Sequence, residues 1–279
     1  MDGRALVGES PVWEATTGTL LWVDILRREI HRYRPGDGHD TSIRFDATIG
    51  AVVPRRDGGL IVAAGLGVAL AEEATATLHW LARADRGDRM NDAACDPAGR
   101  LWAGTLTVEQ RAGAAALYRL DGSTLVKALD VTLSNGLAWS PDGTRMYYAD
   151  TVTERVDVFD YDVATGEASG RRAFVDLHDV PGRPDGLTVD SEGGVWVAMA
   201  RAGAVRHFVA DGTRAEVVEI GTPTVTSCGF GGDGLRDLYV TTSCAGLGEA
   251  ELVRYPRAGA LLCVPDVGVS GRPVSTYTA

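Results

Sequence analysis

The sequence predicts an all-β protein folded as a six-bladed β-propeller, with four antiparallel strands in each blade. Three observations support this prediction. Six strand-like runs rich in Trp, Tyr, Val and Leu each follow a glycine-bearing turn, and these runs recur roughly every 40–50 residues. Further runs of alternating apolar and polar residues lie between them. The chain has 35 glycines against 11 prolines, which supply many tight turns, and no stretch shows a long helical period.

The six recurrent runs are predicted to be the second strands of the blades. They cover residues 20–24, 60–64, 101–105, 146–150, 195–199 and 238–242. Turns such as Asp57-Gly58 and Asp142-Gly143 precede them, and Asp-Gly between β-rich runs indicates a hairpin. The alternating runs at 29–33, 116–120, 155–161 and 204–208 are expected to be half-buried strands further out in the blades.

The end of the chain is expected to complete the ring. Runs at 250–254 and 259–262 are predicted to be the last strands of the sixth blade, and a strand from residues 4–7 is expected to close the propeller. Residues 1–279 are predicted to form one domain, because no linker or low-complexity segment divides them. A β-sandwich is the structural alternative, but it does not account for six similar hairpins.

Charge and composition exclude several classes of partner. The formal net charge is −11, which disfavours nucleic acid or an anionic membrane surface as the main partner. No window approaches 18 uninterrupted apolar residues, so no transmembrane helix is expected. Without a signal-peptide pattern or a CxxC pair, we expect a cytoplasmic protein with reduced thiols. A monomer or weak homodimer is expected.

One position of the repeat mostly has an oxygen-bearing side chain. Counting back from the turn glycines, by nine residues in the first repeat and eight in the others, gives Glu9, Gly50, Asn91, Asn135, Asp185 and Thr226. Equivalent positions on the innermost strands of a propeller surround one central axis, so these residues are expected to converge at one end of the channel. Each alone is also typical of a turn residue at the start of a strand, as in Asn135-Gly136, where Gly136 would let the backbone turn.

This set of side chains indicates a cation site. Carboxylate and amide oxygens without a thiolate or an imidazole suit Ca²⁺, Mg²⁺ or Mn²⁺. No histidine falls on the repeat position, which disfavours a typical zinc site. The two carboxylates, Glu9 and Asp185, would balance the charge of one divalent ion.

Several short motifs occur together in a specific order and spacing. They include Gly-Glu-Ser-Pro at 8–11, Arg-Met-Asn-Asp at 89–92, Ala-Gly-Thr at 103–105, Ser-Asn-Gly-Leu at 134–137 and Pro-Asp-Gly at 184–186. With these motifs the chain resembles, over nearly its whole length, the SMP-30/gluconolactonase/regucalcin family of metal-dependent, six-bladed lactonases.

The resemblance implies roles for individual residues. Glu9, Asn135 and Asp185 would hold one divalent metal cation, which could be Ca²⁺, Mg²⁺, Mn²⁺, Zn²⁺ or Fe²⁺. Arg89 and Asn91 would line the substrate pocket. Some members of the family contact sugar hydroxyls with a glutamate after the Ala-Gly-Thr stretch, and Glu109 is the nearest candidate here, although a solvated loop charge is the alternative interpretation.

The activity implied is hydrolysis of a sugar-derived (aldono-) lactone, a small-molecule substrate. We expect Asp185 to act also as the catalytic general base for the attacking water. No G-x-S-x-G motif offers a competing serine nucleophile. Two alternatives stay open at this point. One is a metal-dependent esterase or organophosphatase with a non-sugar substrate, and the other is a non-catalytic calcium-binding regulatory protein.

Overall fold

The computed structural model describes residues 4–278, which form six antiparallel sheets arranged as a six-bladed β-propeller. Blade 1 contains β1 (Gly8–Glu14), β2 (Thr19–Asp24), β3 (Glu29–Arg34) and β4 (His39–Arg44). Blade 2 contains β5 (Ile49–Pro54), β6 (Leu60–Ala64), β7 (Gly67–Glu72) and β8 (Thr77–Arg83). Blade 3 contains β9 (Arg89–Cys95), β10 (Leu101–Leu106), β11 (Ala115–Asp121) and β12 (Thr124–Val131).

The next two blades repeat this arrangement. Blade 4 contains β13 (Ser134–Trp139), β14 (Arg145–Asp150), β15 (Arg155–Asp162) and β16 (Glu167–Asp176). Blade 5 contains β17 (Arg183–Val189), β18 (Val195–Ala200), β19 (Ala204–Phe208) and β20 (Arg214–Glu219). In every blade each strand pairs with the next one along the chain, so the blades are simple meanders. The predicted fold class is therefore confirmed.

Blade 6 differs from the other five. Its sheet has three strands among the described residues, β21 (Val225–Gly231), β22 (Asp237–Thr242) and β23 (Leu262–Val264). The strand predicted at 250–254 is wrong, because α1 (Glu249–Arg254) occupies that segment. The Glu251 carboxylate accepts a hydrogen bond from the Gly248 amide at 3.0 Å, and Glu249 and Arg254 have the charges that favour the two ends of a helix. No helix in residues 4–278 is long and apolar enough to cross a membrane.

The ring is closed by backbone contacts between the N-terminal segment and blade 6. Val7 forms an isolated antiparallel bridge with Ser243, and the Ala5 amide donates to Gly259 O at 2.7 Å. The Cys244 amide donates in turn to Ala5 O at 3.2 Å. The segment thus meets blade 6 where closure was expected, but it adds no strand to that sheet within the described part of the chain.

The core lies between adjacent blades. The second strands are buried on both faces, so they read as continuous apolar runs; all five residues of β6 are buried, for example. Five clusters of buried side chains fill the contacts from blade 1 round to blade 6. Between blades 6 and 1, Trp13 stacks on Tyr239 with ring centroids 6.0 Å apart. Burial of these apolar surfaces between blades stabilises the ring.

The innermost strands approach one another closely. A Cβ atom on Gly136 would clash with the backbone nitrogen of Leu187 and lie 2.8 Å from Asp185 O, so β13 and β17 can pack together only because this residue lacks a side chain. Gly136 lies within β13 and is not among the glycines with positive φ. The interpretation of Gly136 as a turn residue is therefore wrong; it permits close packing of two innermost strands.

The C-terminal segment crosses the end of the channel where the innermost strands finish. The Gly271 amide donates to Leu235 O in blade 6 at 2.7 Å, and the Arg272 side chain donates to Ser140 O in blade 4 at 3.2 Å. The Thr278 amide donates to Gly99 O in blade 3 at 3.0 Å. This segment, residues 270–278, is called the C-terminal strap below. It covers one end of the channel and leaves the other end for the site.

Candidate metal and substrate site

The predicted residues converge at the uncovered end of the channel. Glu9, Arg89, Asn91, Asn135 and Asp185 all line one cavity of about 240 Å³. They come from the starts of β1, β9, β13 and β17, which are innermost strands of four different blades. Thr226, at the same repeat position of β21, also lines this cavity. The six-fold alignment of the sequence therefore corresponds to a shared place in the structure.

A β-bulge occurs at this position in every blade. The pairing of the first and second strands shifts register next to each of the six aligned residues. A bulge redirects a side chain and bends its strand. Repetition of the bulge turns the aligned side chains toward the channel axis. Five of the six aligned positions are followed by a Gly, Ala or Ser, namely Ser10, Ala51, Gly136, Gly186 and Ser227, and this is the available sequence signal.

Glu9 is a buried carboxylate with few partners. Its side chain accepts a hydrogen bond from the Ser10 amide at 3.0 Å and has no ion pair with any described residue. The residue is 6% exposed. Burial, together with the neighbouring charges of Asp185 and Asp92, raises the pKa of Glu9 well above its ordinary value. The charged form of Glu9 is therefore disfavoured unless a cation lies beside it.

Asp185 adds a second carboxylate to the same cavity. Burial and the charge of Asp92 raise its pKa well above the ordinary value, and the charge of Arg89 opposes that shift. Two desolvated carboxylates without ion-pair partners are unfavourable by themselves. A bound divalent cation would offset this cost, so the residues present fit a cation.

An amide lies beside the two carboxylates in the same cavity. Within residues 4–278, no group of three or more His, Cys, Asp and Glu side chains is placed to hold a metal. Asn135 could supply a third oxygen, and its amide nitrogen donates to Thr151 Oγ at 2.8 Å. That bond fixes the amide group, whose Oδ1 accepts from the Asn91 amide nitrogen at 3.1 Å. Thr151, which the sequence reasoning missed, follows immediately after β14 and lines the same cavity.

Asn91 links Asn135 to Arg89. Its amide nitrogen donates to Ser134 O at 2.8 Å and to Asn135 Oδ1 at 3.1 Å. Its Oδ1 accepts from Arg89 Nη1 at 2.8 Å. Asn91 is 6% exposed and all of these contacts hold it in place. Arg89 uses Nη1 for its described hydrogen bonds, so Nε and Nη2 can serve a ligand.

Glu109 is not brought to this cavity. Its side chain is 76% exposed and lies 3.8 Å from the Arg111 guanidinium. The adjacent Gln110 lines the cavity instead. Gln110 has a left-handed backbone with φ of 51°, and its amide donates to Thr107 O at 2.9 Å, which closes a turn. Because of this turn, the side chains of Glu109 and Gln110 point in different directions.

The cavity mouth contains two further arginines that the sequence reasoning missed. Arg183 lies two residues before Asp185, the same offset that separates Arg89 from Asn91. Residues at this offset, Val7, Arg89, Leu133, Arg183 and Thr224, form a second ring around the cavity. Arg201 follows β18 and also lines the mouth. The offset within the repeat was the available sequence signal for Arg183.

Comparisons with known proteins identify the family. Residues 7–244 match the family described as SMP-30/Gluconolactonase/LRE-like region. Regucalcin of Danio rerio is 37% identical over 279 residues, which cover 98% of this chain and 95% of that protein. The putative sugar lactone lactonase YvrE of Bacillus subtilis (strain 168) is 38% identical over 268 residues, covering 93% and 91%. The crystal structure of a calcium-binding protein, regucalcin, from Agrobacterium tumefaciens has a TM-score of 0.94 at 29% identity and covers 100% of this chain and 96% of that one.

Fold and site together define a six-bladed β-propeller with an oxygen-donor cavity at one end of its channel. The chain belongs to the SMP-30/gluconolactonase/LRE-like family. The family expected from the motifs is thus confirmed.

Proposed function

We propose that this protein is a divalent-metal-dependent lactonase that hydrolyses a sugar-derived lactone. The main support is the convergence of Glu9, Asn135 and Asp185 with Arg89 and Asn91 in one cavity. The first three supply oxygen donors, and the last two supply hydrogen-bond donors for a polar substrate. The name of the Bacillus subtilis relative, a putative sugar lactone lactonase, supports the same reaction class.

Glu9, Asn135 and Asp185 would hold the cation, which could be Ca²⁺, Mg²⁺, Mn²⁺, Zn²⁺ or Fe²⁺. A divalent ion in such a site polarises an ester carbonyl and favours ionisation of water. Thr151 would fix the orientation of the Asn135 amide through the 2.8 Å bond to its nitrogen. Arg89 and Asn91 orient each other at 2.8 Å and present the remaining guanidinium donors to the lactone.

Asp185 is proposed as the general base. It accepts a proton from the attacking water as the water oxygen bonds to the acyl carbon. The bond between that carbon and the ring oxygen then breaks, and Asp185 returns the proton to the departing alkoxide. The product is an open-chain hydroxy acid. Arg89 holds the substrate so that its acyl carbon faces Asp185.

Acid release from aldonolactones, followed with a pH indicator, tests the proposal. The protein is first treated with a chelator and then assayed with each of the five cations. We expect hydrolysis to be lost with the chelator and restored by at least one cation, and Glu9→Gln to weaken cation binding measured by calorimetry. Full activity after complete metal removal would contradict the proposal. Aryl esters and a phosphotriester in the same panel test the alternative substrate classes.

A non-catalytic calcium-binding role is the second candidate. The names of regucalcin from Danio rerio and of the calcium-binding protein from Agrobacterium tumefaciens favour it. It predicts stoichiometric Ca²⁺ binding by calorimetry without hydrolysis of any lactone. Turnover that depends on Asp185 would reject this second role as the sole function.

A further inference from the structure

The mouth of the cavity has a charge opposite to that of the whole chain. The formal net charge is −11, yet Arg89, Arg183 and Arg201 all line this one opening. Arg183 pairs with Ala200 across β17 and β18, and Arg201 follows Ala200 directly. Two of the three arginines therefore lie side by side at the same end of blade 5.

The acidic groups in and around the cavity do not fully neutralise these arginines once a divalent cation is present. The cavity lining includes two carboxylates, Glu9 and Asp185, whose charge a divalent ion would balance, and Asp92 adds one further negative charge from outside the lining. Glu154, which lies outside this lining, approaches Arg183 at 3.3 Å. The described partners of Arg89 are neutral oxygens of Met90 and Asn91. Arg201 has no ion pair with any residue from 4 to 278. An excess of positive charge stays at the mouth.

Hydrogen-bond chemistry indicates the same type of ligand. A neutral polyhydroxylated lactone needs acceptors for its hydroxyl protons. The lining offers Gln110 and a few hydroxyl groups, but the carboxylates are the proposed cation ligands, Glu109 points to solvent, and three of the long polar side chains are arginines. The guanidinium groups can only donate. A carboxylate only accepts, and an arginine fork binds it with two parallel hydrogen bonds. The groups at the mouth thus match a free carboxylate on the substrate better than a hydroxymethyl group at the same place.

We infer that the preferred substrates are lactones that bear a free carboxylate, such as lactones of aldaric acids. This inference rests on the proposed lactonase function and specifies its substrate class. The lactone ring lies against the cation site, and the carboxylate lies between Arg183 and Arg201 at the mouth. The product is then a dicarboxylate, which mutual repulsion and the opening of the ring help to release.

Two lactones with equal ring size provide the test. D-glucaro-1,4-lactone has the extra carboxylate, and D-glucono-1,4-lactone is its neutral counterpart. We expect the metal-loaded protein to have a kcat/KM about 10- to 100-fold higher for the acidic lactone, which is the range that charged hydrogen bonds provide. Arg201→Gln and Arg183→Gln should remove most of this preference and affect the neutral lactone much less. Arg214→Gln, on the outer strand β20, is the matched control and should preserve the preference.

Binding of products supplies an independent measurement. D-glucarate should inhibit competitively at lower concentration than D-gluconate, with free cation held constant, and Arg201→Gln should equalise the two. Hydrolysis of the neutral lactone with no preference for the acidic one would overturn the inference and leave the lactonase proposal standing. Hydrolysis of neither lactone with any of the five cations would overturn both.

Discussion

The two ends of the propeller channel are built from the same six hairpins but differ in polarity and in what covers them. At one end, Glu9, Asn135 and Asp185 lie at β-bulges and line an open polar cavity. At the other end, the C-terminal strap crosses blades 6, 4 and 3, and Tyr277 packs into the apolar cluster between blades 2 and 3. The polar side chains of the cavity and the packing contacts of the strap therefore lie at opposite ends of the same hairpins. Substitutions at the first end should affect chemistry, and those at the second end should affect folding.

The largest expected effect on chemistry comes from Asp185→Asn. Loss of the general base should lower kcat/KM for a lactone about 10²- to 10⁴-fold, the usual contribution of such a group. The melting temperature of the metal-free protein should not fall, because removing one of two neighbouring carboxylate charges relieves repulsion. Steady-state kinetics and a thermal melt check both parts. Asp176→Asn, at an exposed residue of β16, is the control, and similar losses in both variants would contradict the assignment.

The strap end should show the opposite behaviour. Tyr277 is 9% exposed, and its backbone is bonded on both sides, from its amide to Pro54 O and from the Arg56 amide to its carbonyl, each at 2.9 Å. Tyr277→Ala should cost about 3 kcal/mol of unfolding free energy through the cavity that it leaves. Denaturant unfolding measures this loss, and cation affinity by calorimetry should stay within about twofold. A large loss of cation affinity would show that the two ends are coupled.

A smaller effect is expected where Thr151 supports the site. Thr151→Val keeps the shape but removes the acceptor for the Asn135 amide, so cation affinity should fall about 10- to 100-fold, as for other groups that orient metal ligands. Thr151→Ser retains the hydroxyl and should keep most of the affinity. Calorimetric titration with Ca²⁺ distinguishes the two variants. Equal affinity in both would mean that the hydroxyl does not orient Asn135.

The smallest effect is expected at Glu109. Its exposed side chain lies outside the cavity, so Glu109→Gln should change kcat/KM by less than about twofold. Gln110→Ala serves as the comparison, because Gln110 lines the cavity and should raise KM more. The KM values of the two variants, measured on the same lactone, show which of the two side chains contacts the substrate. A larger effect at Glu109 would indicate that its loop closes over bound substrate.

The blades and the aligned site residues could be predicted from sequence because they repeat. The second strands are buried on both faces and the turns contain glycine, so periodicity located the blades and aligned Glu9, Asn135 and Asp185. The helix at Glu249–Arg254 was not predicted because its capping and end charges are local signals that the repeat does not contain. Gly136 was misread because close packing of β13 on β17 is a long-range contact. Glu109 lies in a loop, where a single turn decides which of two adjacent side chains enters the cavity.

The most direct test of the central claim is an anomalous diffraction measurement on crystals of the protein grown with Mn²⁺ as a probe ion. We predict one strong peak in the cavity, with oxygens of Glu9, Asn135 and Asp185 at about 2.0–2.6 Å from it, the range of oxygen ligands to such cations. The peak should weaken or vanish in Glu9→Gln crystals prepared in the same way. A cavity without a peak at saturating Mn²⁺, or a peak that contacts none of these three residues, would contradict the account.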